Sequence, residues 1–320
     1  MGPRLVFFGT PSVAAAALEA LVNGGFDVAA VVSQPDRPAG RGQKVRPTPV
    51  RETAGKLGLP VLQPESARDP GLFEYLRDLA PDLFTVVAYG NFLPEKLLAV
   101  PRLAALNLHF SLLPAYRGAA PVNWALVDGA DRTGVTVQRM VKRMDAGDVV
   151  LQREVAVGPD ETAPELFGRL TETGVPLLAE AVGLVYAGKD APIPQDEALA
   201  TFAPILRREH GGLDFTRPAR ELYDRWRGLL PWPGVFCLLE GETLKVHRCR
   251  PFPEGTSEPP GTVFRGRDGG WLAACGDGTV LEITEVQAGG SRRLSAGDFA
   301  NGRRLKSPFR LTPVVPAPRA

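Results

Sequence analysis

What is scarce in this chain limits what it can be. Cysteine and histidine number three each among 320 residues. Cys237, Cys249 and Cys275 have no metal-ligand spacing, and their odd count speaks against a disulfide framework, so they read as buried free thiols. The ligand types and spacings of a zinc site are also missing, and no metal is expected. No run approaches the ~20 apolar residues that a membrane span needs. Met1-Gly2-Pro3-Arg4 and the five-residue apolar run after it lack the h-region of a signal peptide. A cytoplasmic location with no membrane partner is the default expectation. The first turn carries Gly9 without the Gly-x-Gly-x-x-Gly spacing that lets a backbone approach a pyrophosphate, so a bound dinucleotide is not expected. Net charge is also small, at +1, though unevenly divided. From residue 201 onward 18 Lys and Arg face 13 Asp and Glu, against 19 and 23 before it. A basic second half suits a polyanion partner, and ordinary surface variation accounts for the same surplus.

What is present is a globular composition, 44% hydrophobic and 23% charged, in a chain long enough for two domains. Residues 4–8 read as a buried strand, with Thr10 as N-cap and Pro11 at the first position of a helix that Gly24 and Gly25 end. Residues 28–32 form a second strand, so the chain opens as a parallel, doubly wound α/β unit. Residues 33–49 form a long connection of almost no apolar content, in which Arg37, Arg41, Lys44 and Arg46 outnumber Asp36. It stands at the carboxyl end of a strand, where open α/β sheets bind ligands. Basic side chains on such a loop can fold onto phosphates; a solvated insertion is the plainer reading. Helices follow over 50–57 and 72–79, a short strand at 60–62, a central strand over 83–89 and a helix over 92–98. Val87, Tyr89 and Phe92 near that strand's end suit a flat ring, and serve equally as core residues.

Asn107-Leu108-His109 ends the next strand. Residues two apart on a strand share a face, so the amide and the imidazole point the same way. A capped strand end with a core histidine explains these residues alone just as well. Pro121 starts another helix, residues 134–138 alternate as a half-buried strand, and Met144-Asp145-Ala146-Gly147-Asp148 forms a turn before a strand at 149–151. Residues 162–186 read as one long helix. The Pro-rich stretch after it carries no period and marks the boundary between a domain over 1–189, a linker over 190–206 and a domain over 207–320. In the last, one helix over 218–229 precedes short strands punctuated by glycines, which suggests a small OB-like β-barrel and then a short helix from Ser295. Asn, His and Asp without a Ser or Cys nucleophile beside them suit a direct transfer in which the substrate supplies the attacking atom. Asn107 and His109 would donate to a tetrahedral oxyanion, and Asp145, if it reaches His109, would favour its charged form and relay a proton.

Asn107-Leu108-His109, then Ser111-Leu112-Leu113-Pro114 with Arg117-Gly118, then Met144-Asp145-x-Gly-Asp148, resemble the signature of enzymes that use 10-formyltetrahydrofolate as formyl donor. Within that group, residues 34–44 and the second domain resemble the methionyl-tRNA formyltransferase family, over nearly the whole chain. The resemblance implies a catalytic trio of Asn107, His109 and Asp145. It implies a folate site that includes Ser111, Leu112, Leu113 and Pro114, and a basic loop, Arg41 foremost, on the acceptor end of initiator methionyl-tRNA. Folate would be a co-substrate, with no tightly bound cofactor, and the enzyme is expected to be a monomer. Two departures stand out. Phe110 occupies a place where the family commonly has glycine, and the Gly9 turn lacks the second glycine with which glycinamide ribonucleotide formyltransferases hold a phosphate. A formyltransferase acting on a nucleotide-sugar amine and a formyltetrahydrofolate hydrolase remain the alternatives, and a non-catalytic folate- or RNA-binding module is a third.

Overall fold

A computed structural model describes residues 2–39, 44–266 and 268–319. Short runs of Val, Leu and Phe are buried on both faces as strands, and amphipathic segments between them become the covering helices. In chain order these are β1 (Arg4–Gly9), α1 (Ser12–Asn23), β2 (Asp27–Val32), β3 (Arg37–Ala39), β4 (Lys44–Arg46), α2 (Pro49–Lys56), β5 (Val61–Leu62), α3 (Pro70–Leu79), β6 (Leu83–Val87), α4 (Glu95–Leu98), β7 (Ala104–His109), α5 (Pro121–Val127), β8 (Arg132–Arg139), β9 (Val149–Ala156) and α6 (Ala163–Tyr186). The sheet order is β5-β2-β1-β6-β7-β8-β9. It is parallel from β5 to β7 and antiparallel at β8 and β9, which contain the strands expected at 134–138 and 149–151 but run in a direction that the parallel reading did not foresee. The winding reverses between β1 and β6, which places a ligand crevice at their carboxyl ends. One face buries Val6, Phe8, Val32, Phe84 and Val86 beneath Leu72 and Leu76 of α3. Phe8 lies 4.9 Å from Phe84 and 5.4 Å from Tyr89, centroid to centroid. Each such side chain removed from water stabilises the fold by roughly 1.5–3 kcal/mol.

Three local expectations change. Helix α1 begins at Ser12, with Pro11 in the N-cap position and no side-chain cap. Thr10 is instead drawn across the crevice, where its hydroxyl donates to the Tyr89 carbonyl at 2.8 Å. The connection over 33–49 holds the β3–β4 hairpin, with Arg37 paired opposite Arg46. Its stem is tied at the base by a 2.7 Å bond between the buried hydroxyls of Ser33 and Thr48, and Thr48 caps α2. The helix expected over 92–98 shrinks to α4, because Leu93 precedes Pro94 and the residue before a proline is steered away from helical geometry.

The remaining elements are α7 (Ala219–Gly228), β10 (Val235–Leu239), β11 (Glu242–Phe252), β12 (Thr262–Arg265), β13 (Trp271–Ala274), β14 (Val280–Ala288), β15 (Leu294–Ser295), α8 (Ala296–Arg303) and β16 (Phe309–Arg310). They form an antiparallel sheet, β10-β11-β14-β13-β12-β16 with β15 on β14, curled into a half-barrel. A bulge near Arg248 bends β11. Leu238 and Thr312 exchange backbone hydrogen bonds of 3.0 and 2.8 Å, bringing the edges of the sheet together. Trp271, Phe215, Leu281 and Ile283 fill its interior. The three cysteines lie there too, all buried and free. Burial pushes the Cys237 and Cys275 thiols up to about 12 and drives Cys249 upward as well. The chain divides into two compact units, Met1–Gly118 with Arg132–Ala156 and Phe167–Phe202, and Ala119–Asp131 with Val157–Leu166 and Ala203–Ala320. No helix among the described residues is long and apolar enough to cross a membrane.

Candidate active site

The strand β7 carries Asn107 and His109 on one face. Across it, antiparallel β8 places Gln138 opposite Asn107 and Thr136 opposite His109. The connection from β8 to β9 then turns at Asp145, whose φ of +49° is uncommon for a residue with a side chain. That turn brings Asp145 back beside β7. Its Oδ2 lies 3.7 Å from His109 Nδ1 and accepts from the Gly118 amide at 2.8 Å, while Oδ1 accepts from Gln138 Nε2 at 3.0 Å. His109 is only 5% exposed, and its Nε2 lies 2.9 Å from the Tyr116 carbonyl. A carbonyl can only accept, so Nε2 carries a hydrogen, and a hydrogen on Nδ1 would face the carboxylate. At 3.7 Å that second contact is an approach rather than a hydrogen bond, as is common before a ligand closes a site. Asn107 is half-buried, and its amide is uncommitted among the described residues. An amide, an imidazole and a carboxylate are thus gathered at the carboxyl end of β7, an interior strand of the sheet.

The loop after His109 is fixed from beneath. Ser111 is fully buried, and its hydroxyl donates to the Ala115 carbonyl at 2.6 Å. Thr136 donates to the Ser111 carbonyl and accepts from the Leu113 amide, and Gln152 donates to the Leu113 carbonyl. Leu113 is buried, while Leu112 and Pro114 are half-buried. Val87 is buried at the end of β6 and Phe92 is half exposed. Tyr89 differs from the picture of a ring against a ligand: its ring lies in the core against Phe8. What it presents at the crevice is its carbonyl, which accepts from Thr10 and from Gln34 Nε2. Arg37 and Arg46 are exposed on the hairpin. Lys44 begins β4, and Arg41 lies outside the described residues. Like charges opposite one another on paired strands are unfavourable, so the Arg37–Arg46 pairing leaves a positive face that an anion would relieve.

Sequence reading missed Gln138 and the Tyr116 carbonyl. Gln138 could be placed on the right face by alternation, but its partner required the β7–β8 register. Tyr116, with φ +59°, offered no signal at all. Among the described residues no group of three or more His, Cys, Asp or Glu side chains is arranged to hold a metal ion.

Comparison with known proteins places this geometry in context. Residues 3–182 match the family described as formyl transferase, and residues 205–304 match the formyl transferase C-terminal domain. A methionyl-tRNA formyltransferase of Acidobacterium capsulatum is 48% identical over 96% of this chain and 99% of its own. One from Geobacter sulfurreducens is 43% identical over 97% of each. Among solved structures, an N-formyltransferase from Helicobacter canadensis, in complex with folinic acid and dTDP-3-aminofucose, superposes with a TM-score of 0.68 at 16% identity, over 90% of this chain and all of that one. HypX from Aquifex aeolicus, in complex with tetrahydrofolic acid, reaches 0.64 at 19% identity, over 96% of this chain and 48% of that one. At such identity these two likenesses speak to the fold alone.

Proposed function

The chain belongs to the formyl transferase family, and from that premise we propose that it moves the formyl group of 10-formyltetrahydrofolate onto the α-amino nitrogen of methionine carried by initiator tRNA. The observation that carries the reading is the convergence of Asn107, His109 and Asp145, with the carboxylate 3.7 Å from the imidazole. The choice of acceptor is supported by relatives matched end to end under that name. The amine adds to the formyl carbon, and the formyl oxygen takes up the negative charge. Asn107 donates to it, and so does His109 once the hydrogen now given to Tyr116 is redirected; each donor is worth very roughly 10²–10³ in rate at comparable sites. Asp145, facing the other ring nitrogen, steadies the imidazole and accepts the proton that the amine sheds, directly or through water. That proton reaches N10 of the folate as the carbon–N10 bond breaks.

The folate is read as lying along the loop of Ser111 to Pro114 and the end of β6, with Val87, the Tyr89 backbone and Phe92 nearby. Arg37, Arg41, Lys44 and Arg46 are read as meeting the tRNA. Residues 1–189 form the catalytic domain on this reading, 190–206 a linker and 207–320 a tRNA-contacting domain, in a cytoplasmic monomer with no tightly bound cofactor. The test offers the protein formyl donor with charged initiator tRNA, glycinamide ribonucleotide or a nucleotide-sugar amine. Formylation of the tRNA-borne methionine above the other two is the expected result. Preferential formylation of the sugar amine, or formate release without any acceptor, overturns it.

A further inference from the structure

Gln195 lies in the Pro-rich stretch after α6, where nothing in the sequence marked a role. In the structure its side chain reaches the turn that carries Asp145. Its Nε2 donates to the Asp145 carbonyl at 2.9 Å and the Gly147 carbonyl at 2.6 Å, and sits 3.3 Å from Gln138 Oε1. Its Oε1 accepts from Arg117 Nη2 and Nε at 2.7 and 3.1 Å. Arg117 is itself 3% exposed and is held on its other side by Glu197, with bonds of 3.0 Å to each carboxylate oxygen. One amide therefore ties two carbonyls of the turn to a buried guanidinium.

The turn needs such a tie. Asp145 has a left-handed backbone, which side-chain-bearing residues keep only when their surroundings hold them there. Gly147 passes so close to β8 that a Cβ on it would lie 1.7 Å from the Arg139 carbonyl. Gln138, which donates to the Asp145 carboxylate, has its own oxygen beside Gln195. Backbone and carboxylate of Asp145 are thus oriented from the same amide. We infer that Gln195 is a positioning residue for formyl transfer, clamping the Asp145 turn so that the carboxylate is aimed at His109. This rests on the reading of Asp145 as a reacting group. Chemically the role demands an amide. A carboxylate would set negative charge against two carbonyls, and an apolar side chain would leave those carbonyls without this donor and the Arg117 Nε without its acceptor, with only Glu197 still holding the guanidinium.

The experiment compares Gln195→Met, Gln195→Glu, Asp145→Ala and the double variant Gln195→Met with Asp145→Ala, measuring kcat, both KM values, the pH–rate profile and melting temperature. A misaligned carboxylate should lower kcat on the order of 10- to 100-fold in both single Gln195 variants, with both KM values little changed. The limb of the pH–rate profile that depends on the Asp145–His109 contact should shift. Because Gln195 acts through Asp145, adding Gln195→Met to Asp145→Ala should cost nothing further. The inference is overturned if Asp145→Ala is impaired while both Gln195 variants keep full kcat. It is equally overturned if the two losses simply multiply, or if the Gln195 variants lose only melting temperature. Full activity in Asp145→Ala would instead remove the underlying reading of Asp145, and the two failures are distinguishable.

Discussion

His109 has an acceptor on each side, the Tyr116 carbonyl 2.9 Å from Nε2 and an Asp145 oxygen 3.7 Å from Nδ1, so its ring can give one hydrogen to a substrate oxygen while the carboxylate steadies the other. Asn107→Ala, His109→Ala and Asp145→Ala should each lower turnover by ~10²–10⁴ with the circular dichroism spectrum unchanged. Near-normal turnover in all three would remove the site. The resemblance left open whether Phe110, standing where relatives commonly carry glycine, alters the pocket wall. Its ring turns away from the trio and packs on Phe167 of α6, centroids 4.9 Å apart. Phe110→Ala should therefore cost roughly 3–5 kcal/mol in urea unfolding, with KM for the formyl donor nearly unchanged; a large rise in that KM with unaltered stability would put the ring in the pocket. The trio was readable because three reactive side chains stand in short motifs. Gln138 and Gln195 were not, since a glutamine announces nothing until the strand register and the path of a long connection are known.

Among the elements, the parallel half of the first sheet was legible from continuous apolar runs separated by helices. The antiparallel direction of β8 and β9 was not, because an alternating strand fits either direction of pairing. Capping was misjudged at α1 for a related reason: Thr10 has a partner 79 residues away, and a long-range bond overrides a local one. The short 3₁₀ turn over 208–211 buries a second histidine, His210, against Trp124, with ring centroids 5.1 Å apart. Burial holds its pKa below the ordinary 6.5, and the positive charges of Arg225 and Arg207 push the same way. The unfolded chain therefore takes up a proton near pH 6.5 that the folded chain refuses until lower pH, so stability falls as the pH drops through that window. His210→Gln should flatten the decline of melting temperature between about pH 7 and pH 5.5, even if it melts lower at neutral pH, where Nδ1 accepts from the Arg207 amide. A decline as steep as that of the native protein would assign the acid sensitivity to other groups.

For the molecule as a whole, two-domain organisation and family were open to sequence because motifs and compositional breaks survive without coordinates. The uneven charge was also countable from sequence, but the paired arginines of the β3–β4 hairpin stand in the half of the chain where acids outnumber bases, so they form a local basic patch apart from that surplus. If the hairpin grips a polyanion, Arg41→Ala with Lys44→Ala should weaken tRNA binding and reduce the log–log salt slope by about 1–2. An unchanged slope would detach the loop from the tRNA. The means of measuring this lies in the second unit. All three native thiols are sealed in its interior, two of them pushed up to about 12, so at neutral pH they are neither ionised nor reachable by a maleimide. The chain is in effect a cysteine-free background for site-directed labelling. A single cysteine placed at Val45, which is 64% exposed on the hairpin, would carry a fluorophore beside the proposed tRNA contact without any native thiol having to be removed.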